Sequence, residues 1–268
     1  MSWNYWPPYM SVAERKEKAA RKIKTLRKKG HQIDPVMIRG KSISQTFWGQ
    51  AWCQMIESYS DDQNRLSKGR SYVRHGSVID LKIRAGEIRA LVCGSDMYEV
   101  SITINPVDSE KWTRLVEECS GKVSSLIELL EGRFSKSVME IIASSERGLF
   151  PHEEDFKLHC DCYDYEAMCK HVIAVLYGVG HRLDDSPEDL FLMRDANHME
   201  LIERARELSF GIQEETQDSQ LSEELSSLFG IEIVETKASS ETSPEESVAK
   251  TDSERAQTRS SANDNRKA

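Results

Sequence analysis

The first strong hydrophobic pattern in the chain is helical. Residues 42–60, SISQTFWGQAWCQMIESYS, place Phe47, Trp48, Trp52 and Ile56 at nearly helical spacing. Apolar residues at this spacing are typical of an amphipathic helix that buries one face. A stripe of bulky aromatic side chains is far more common in a protein core than around a cofactor, so we interpret this face as core.

The pattern changes to a period of two residues between positions 71 and 104. The runs VIDLKI, IRALVC and YEVSITI alternate apolar and polar positions, with turn signals at Ala85-Gly86 and Gly94-Ser95-Asp96 between them. These features predict a three-stranded antiparallel β meander. Residues 108–145 return to helical spacing and predict two or three short helices. The predicted fold class is therefore α+β, an antiparallel meander with packed helices.

Charge is distributed unevenly around this body. Residues 11–41 hold eleven Lys/Arg against three Asp/Glu, in a composition that favours helix as far as Gly30. This basic arm is interpreted as a solvated helix or a flexible arm, or alternatively as a contact with nucleic acid or an acidic partner. Residues 212–268 hold thirteen Asp/Glu against six Lys/Arg and few aromatic residues, so we predict a disordered acidic tail.

The most specific chemical signal is a cluster of cysteines. Three of the six cysteines fall within ten residues, which form the pattern Cys160-x-Cys162, six residues, Cys169-x-His171. Zn²⁺ in closed structural sites takes four ligands tetrahedrally from thiolates and imidazoles, and two short ligand pairs separated by a loop can supply that geometry. After His171, the apolar residues Val172, Val175, Leu176 and Val179 recur three and four residues apart, which predicts a helix with one buried face. Gly178 and Gly180 are predicted to mark its end. Residues two apart point in nearly opposite directions in mid-helix, so Cys169 and His171 can share a metal only at its start.

Two alternatives for the cluster remain open. The adjacent His159 can replace one ligand, and the thiols of Cys160 and Cys162 can serve as a redox switch instead of, or together with, metal binding. We expect no enzyme activity, because four protein ligands leave no open position for water on the metal. The chain also lacks a Walker A loop, a GxSxG elbow and an HExxH motif.

The spacing CxC-x6-CxH resembles the SWIM zinc finger, a family found in bacterial proteins associated with Swi/Snf-type helicases. The order of the segments FWGQAW, GRSYVRHGSVIDL, CGSDMYEVSI and GLFP before the cluster is also similar to bacterial SWIM proteins. The resemblance implies bound Zn²⁺ and a role in binding DNA or protein. Charge, pattern and this resemblance together divide the chain into a basic N-terminal arm (1–41), an α+β body (42–150), a SWIM-type zinc finger (151–182), a helical extension (183–211) and a disordered acidic tail (212–268).

Charge decides only partly between DNA and protein as the partner. Residues 151–171 hold six acids and two lysines, a surface that repels phosphate. Residues 65–89 hold seven Lys/Arg against two acids, and the tentative phosphate contacts are Arg65, Lys68, Arg70, Arg74 and Arg84. We expect an accessory factor that binds DNA, protein or both and that works with a Swi/Snf-type helicase. The alternatives are a protein adaptor without DNA contact and a thiol-based redox regulator.

The expected setting is the cytoplasm. No run of residues approaches the ~20 apolar positions that a membrane span requires, so no membrane is expected as a partner. Because no enzyme activity is expected, no small-molecule substrate is expected either.

Overall fold

A computed structural model describes residues 10–120, 136–144, 146–201, 203 and 204 of the chain. The chain divides into two compact units, Met1–Asp218 and Ser219–Ala268, and every described residue belongs to the first. The predicted disordered tail, 212–268, lies outside the described residues. No helix among the described residues is long and apolar enough to cross a membrane.

The described part of the chain combines helices with one antiparallel sheet, which confirms the predicted α+β class. The helices are α1 (Val12–Lys28), α2 (Phe47–Ser58), α3 (Gln63–Arg74), α4 (Ser109–Ser120), α5 (Lys136–Ile142), α6 (Lys170–Arg182) and α7 (Asp189–Met193). The strands are β1 (Val78–Arg84), β2 (Glu87–Cys93), β3 (Met97–Ile104) and β4 (Phe156–Cys160), in the spatial order β1-β2-β3-β4. The predicted meander is therefore present, and β4 extends it by one strand.

The start of the predicted β region was wrong, because Ser71 to Arg74 belong to α3 and the first strand begins at Val78. The side chain of Asp62 caps this helix by accepting hydrogen bonds from the backbone N–H groups of Asn64 and Arg65. Inside the helix, the buried positions recur three and four residues apart, at Leu66, Gly69, Tyr72 and Val73. In the sequence, the alternating pattern of the following strand obscures this helical period.

Helix α6 is the centre of the fold. Residues 171–180 are all buried, so the prediction of a helix with a single buried face was wrong. The sheet contacts α6, and so do α2 and α3. Because β4 pairs with β3 and α6 lies in the main core, the segment 151–182 contributes a strand and a central helix to the same structure as the body.

Gly49 of α2 and Gly180 of α6 allow these two helices to approach each other closely. Gly178 and Gly180 were predicted to end α6, but α6 continues to Arg182. A Cβ at Gly180 would lie 2.7 Å from the Sγ of Cys53 in α2, and a Cβ at Gly49 would collide with the carbonyl oxygen of Gly180. These glycines therefore permit direct contact between the two helix backbones.

The predicted core face of α2 is largely confirmed. Trp48, Trp52 and Ile56 are buried, whereas Phe47 at the start of the helix is 37% exposed. The indole N–H of Trp52 donates a hydrogen bond of 2.9 Å to the carbonyl oxygen of Leu176. Helix α2 is thus joined to α6 by both apolar contact and a buried hydrogen bond.

The basic arm contains an ordered helix, α1, that packs on the sheet. Ser11 and Glu14 form a capping box at its start. Its buried Ala19 belongs to a small second core with Ile79 and Cys93. Alternate residues of a strand face opposite sides of a sheet, and Ala90 and Val92 of β2 belong to the main core. Helix α1 therefore lies on the face of the sheet opposite α6.

Candidate metal centre

The four predicted ligands come from the end of a strand and the start of a helix. Cys160 is the last residue of β4, and Cys162 follows in the loop. Cys169 is the N-cap residue of α6, with φ −67° and ψ 163°, and His171 lies in the first helical turn. This position of Cys169 and His171 confirms the prediction from helical geometry.

The ligand atoms converge as a metal site requires. One donor atom from each of the four residues lies within 4.8 Å of the others. With metal–sulfur bonds of about 2.3 Å, a tetrahedral centre places its ligand atoms about 3.8 Å apart. The Sγ of Cys160 and the Nδ1 of His171 are 3.8 Å apart. The cluster can therefore hold a metal ion between four protein ligands.

The three thiols have different proton affinities. The thiol of Cys160 donates to Cys169 and so lowers the pKa of Cys169, with further hydrogen bonds from His171 and from the backbone N–H groups at the start of α6. The same hydrogen bond, followed by burial, raises the pKa of Cys160. Burial is the largest cause of the raised pKa of Cys162. Without metal, the site thus favours one thiolate beside two neutral thiols.

These protonation states predict that the affinity for metal decreases as the pH is lowered. Since Cys160 and Cys162 are protonated at neutral pH in the metal-free protein, binding must displace about two protons, and the affinity should fall about 100-fold for each pH unit of acidification. Competition with a chromophoric chelator at pH 6, 7 and 8 measures this slope. An affinity independent of pH over that range would contradict ligation by these two thiols.

The imidazole of His171 is held by aromatic rings. It is 1% exposed. The ring of Tyr98 stacks on it at 4.0 Å between centroids and 20° between planes, and the ring of Tyr72 contacts it edgewise at 5.3 Å. Among the described residues, the Nε2 of His171 has no hydrogen-bond partner. Ring contacts therefore fix the orientation that a second hydrogen bond usually fixes in a metal-ligating histidine.

Arg15, from the basic arm, contacts one of these two tyrosine rings. The guanidinium of Arg15 lies 4.0 Å from the centroid of the Tyr72 ring, a cation–π contact. It also donates hydrogen bonds to the hydroxyl oxygens of Ser77 and Ser71, at 3.1 and 3.2 Å. Sequence reasoning missed Arg15, Tyr72 and Tyr98, because no local pattern relates them to the cysteines.

His159 does not belong to the cluster. It is exposed and is paired in register with Ser101 of β3, whereas the adjacent Cys160 is half-buried among residues of the main core. Neighbouring strand residues face opposite sides, so His159 points away from the other ligands. All six cysteines are free thiols in the structure, and the redox alternative stays a prediction.

Ion pairs hold the loop between the two ligand pairs. The guanidinium of Arg65 in α3 lies 3.4 Å from a carboxylate oxygen of Asp164 and 4.0 Å from one of Glu166. The same guanidinium pairs with Asp62 at the start of its own helix, at 2.9 Å. Arg65 therefore connects α3 to the loop between Cys162 and Cys169.

The other tentative phosphate contacts divide into two groups. Arg70 pairs with Glu57 at 2.9 Å and lies 5.6 Å above the ring of Tyr177. Lys68 and Arg74 are exposed on α3, and Arg84 is exposed at the end of β1. Arg65 and Arg70 are thus occupied by carboxylates of the protein itself. The assignment of these five residues to nucleic-acid binding stays a prediction.

Comparison with known proteins identifies a relative of the chain, but this relative has no described activity. No family model matches the chain, and no solved structure matches it. The chain is 30% identical over 164 residues to Rv2102 of Mycobacterium tuberculosis, a protein described as uncharacterized, and the alignment covers 60% of this chain and 59% of that protein. The function proposed below therefore depends on the site itself.

Proposed function

We propose that the chain is a zinc-binding SWIM-type protein that acts as a DNA- or protein-binding accessory factor. The observation that carries this proposal is the convergence of Cys160, Cys162, Cys169 and His171 within 4.8 Å. Three thiolates and one imidazole form a donor set that suits Zn²⁺ in a closed tetrahedral site. Their spacing along the chain is that of the SWIM finger.

The role proposed for the metal is structural. Four protein ligands complete a tetrahedral zinc site, which leaves no position for a substrate or a reactive water. The ligands join the end of β4 to the start of α6, and residues 171–180 of that helix are buried. The metal would therefore stabilise the contact between the sheet and its central helix, and we expect no enzyme activity.

The proposed partners follow from the SWIM resemblance and from charge. Bacterial SWIM proteins are associated with Swi/Snf-type helicases, which suggests a role beside a DNA-processing enzyme. The segment between Cys160 and Cys169 carries Asp161, Asp164 and Glu166, a surface unfavourable for phosphate. The finger is therefore proposed to shape the fold, while other surfaces contact the partner.

Zinc content of the purified protein tests the proposal. We expect one zinc per chain by elemental analysis. We expect the zinc to be lost in Cys169→Ser and in His171→Ala, because each variant retains only three of the four ligands. Cys53→Ser is the matched control, since Cys53 lies in α2 outside the cluster and burial raises its pKa to about 11. Full zinc content in the ligand variants, or a loss of zinc in the control, would reject the ligand assignment.

A further inference from the structure

Helix α1 carries a high density of positive charge. Val12–Lys28 contains eight Lys/Arg against two acids, Glu14 and Glu17. Glu14 accepts hydrogen bonds of 2.8 Å from the backbone N–H and the hydroxyl of Ser11, in the capping box. Glu17 is therefore the single acid left on the exposed part of the helix.

Two of the eight cations attach α1 to neighbouring parts of the structure. Arg15 is 7% exposed and contacts Tyr72, and the Nζ of Lys18 donates to the carbonyl oxygens of Gly94 and Ser95. The remaining six are exposed, and no carboxylate of the described residues forms an ion pair with them. They are Lys16, Arg21, Lys22, Lys24, Arg27 and Lys28. We call these six residues the α1 basic face.

Helix α3 provides an internal comparison. Two of its four cations, Arg65 and Arg70, pair with carboxylates, which leaves Lys68 and Arg74 exposed. The α1 basic face thus has three times as many unpaired cations as α3. Phosphate binding depends on the number of such charges, so the structure moves the best candidate surface from α3 to α1.

We propose that the α1 basic face binds the phosphates of a nucleic-acid duplex. The inference rests on the proposed function and specifies the surface that performs its DNA-binding part. From Lys16 to Lys28 the face extends about 18 Å along the helix axis. The helix is already packed on the sheet through Ala19, so binding requires little additional ordering of the backbone.

The composition of the face favours phosphates over a membrane or a protein. The apolar side of α1, with Ala19, Ile23 and Leu26, is occupied by the sheet. Val12, at the start of the helix, is the one large hydrophobic residue of α1 that is exposed. Membrane-surface helices require a free apolar face, and protein interfaces usually have an apolar centre. A polycationic surface without either is typical of backbone contact with nucleic acid.

Titration of a labelled DNA duplex at several salt concentrations tests the inference on the full chain. The variant Lys24→Gln/Lys28→Gln removes two charges from α1, and the matched control Lys68→Gln/Arg74→Gln removes two from α3. We expect the α1 variant to lower the salt slope of log affinity by about 1.8 and the affinity at 0.15 M salt by about thirtyfold. The control should retain the slope and affinity of the unmodified protein. Zinc content and circular dichroism check that both variants are folded.

Three results would overturn the inference, and they have different meanings. Equal losses in the two variants, or a loss in the α3 variant alone, would reject the α1 basic face while leaving DNA binding intact. Polyglutamate that competes as well as duplex DNA at equal charge would identify a general site for acidic partners. A zinc-loaded protein that does not bind DNA at low salt would reject the DNA part of the proposed function as well.

Discussion

Removal of the proposed structural zinc will lower the midpoint of thermal unfolding by about 6–20 °C. Structural zinc contributes roughly 10–16 kcal/mol of binding free energy in zinc-finger peptides. Here the ligands Cys160 and Cys169 join the last residue of β4 to the N-cap of the buried helix α6. If only about 3–5 kcal/mol of that energy appears as protein stability, a chain of this size loses about 6–20 °C.

Thermal unfolding followed by circular dichroism, with and without a strong chelator, measures this effect. Added zinc should restore the original midpoint, which shows that the loss is not irreversible damage. The chelator should cause no further decrease in His171→Ala, because that variant has already lost the metal. An unmodified protein that unfolds at the same temperature with and without chelator would refute a structural role for the metal.

Trp52→Ala will destabilise the protein by about 3–5 kcal/mol, the usual cost of truncating a large buried aromatic residue. The side chain of Trp52 is fully buried, and its ring contacts those of Phe150 and Phe156 at 6.1 and 6.2 Å between centroids. Truncation also leaves the carbonyl oxygen of Leu176, in the central helix, without its hydrogen-bond donor. The free energy of unfolding in urea is the measurement.

Two further variants separate the causes of this destabilisation. Trp52→Phe retains much of the ring but removes the N–H donor, so it should cost about 1–3 kcal/mol. Met37→Ala, at a side chain that is 60% exposed, should change stability by less than about 0.5 kcal/mol. A loss in Trp52→Ala no larger than in the Met37 control would show that α2 does not depend on this residue for its contact with α6.

The cluster that can hold a metal could be predicted because its four residues are close together in the chain. Cys160 and His171 are separated by ten residues, and a short strand, a loop and a helix start are local structures with local signals. The same argument placed Cys169 and His171 at the beginning of α6. What local spacing could not reveal is that β4 joins β3 or that α6 is buried on all sides. Those facts depend on pairing between segments far apart in the sequence.

The environment of His171 shows the same limit. Tyr72 and Tyr98 contact its ring, and Arg15 contacts Tyr72. These residues come from α1, α3 and β3, and no periodicity in any one of those elements indicates their meeting. A sequence without an alignment contains no signal that would have found them.

Charge counting along the sequence does not distinguish α1 from α3. In both helices the sequence shows a high density of Lys/Arg, but the ion-pair partners of α3 come from elsewhere. Glu57 of α2 pairs with Arg70, and Asp164 of the loop between Cys162 and Cys169 pairs with Arg65. A net charge summed over one segment does not include these neutralising contacts.

The burial of His171 has a kinetic consequence. Its imidazole is 1% exposed and lies between the rings of Tyr72 and Tyr98, so an incoming chelator cannot reach it in the closed structure. Cys160 and Cys162 are partly exposed, so a chelator can approach a bound metal from their side, whereas release of His171 requires a local opening that separates the start of α6 from the sheet. Stabilising the core would therefore slow the replacement of His171 as a ligand, without any change to the ligands themselves.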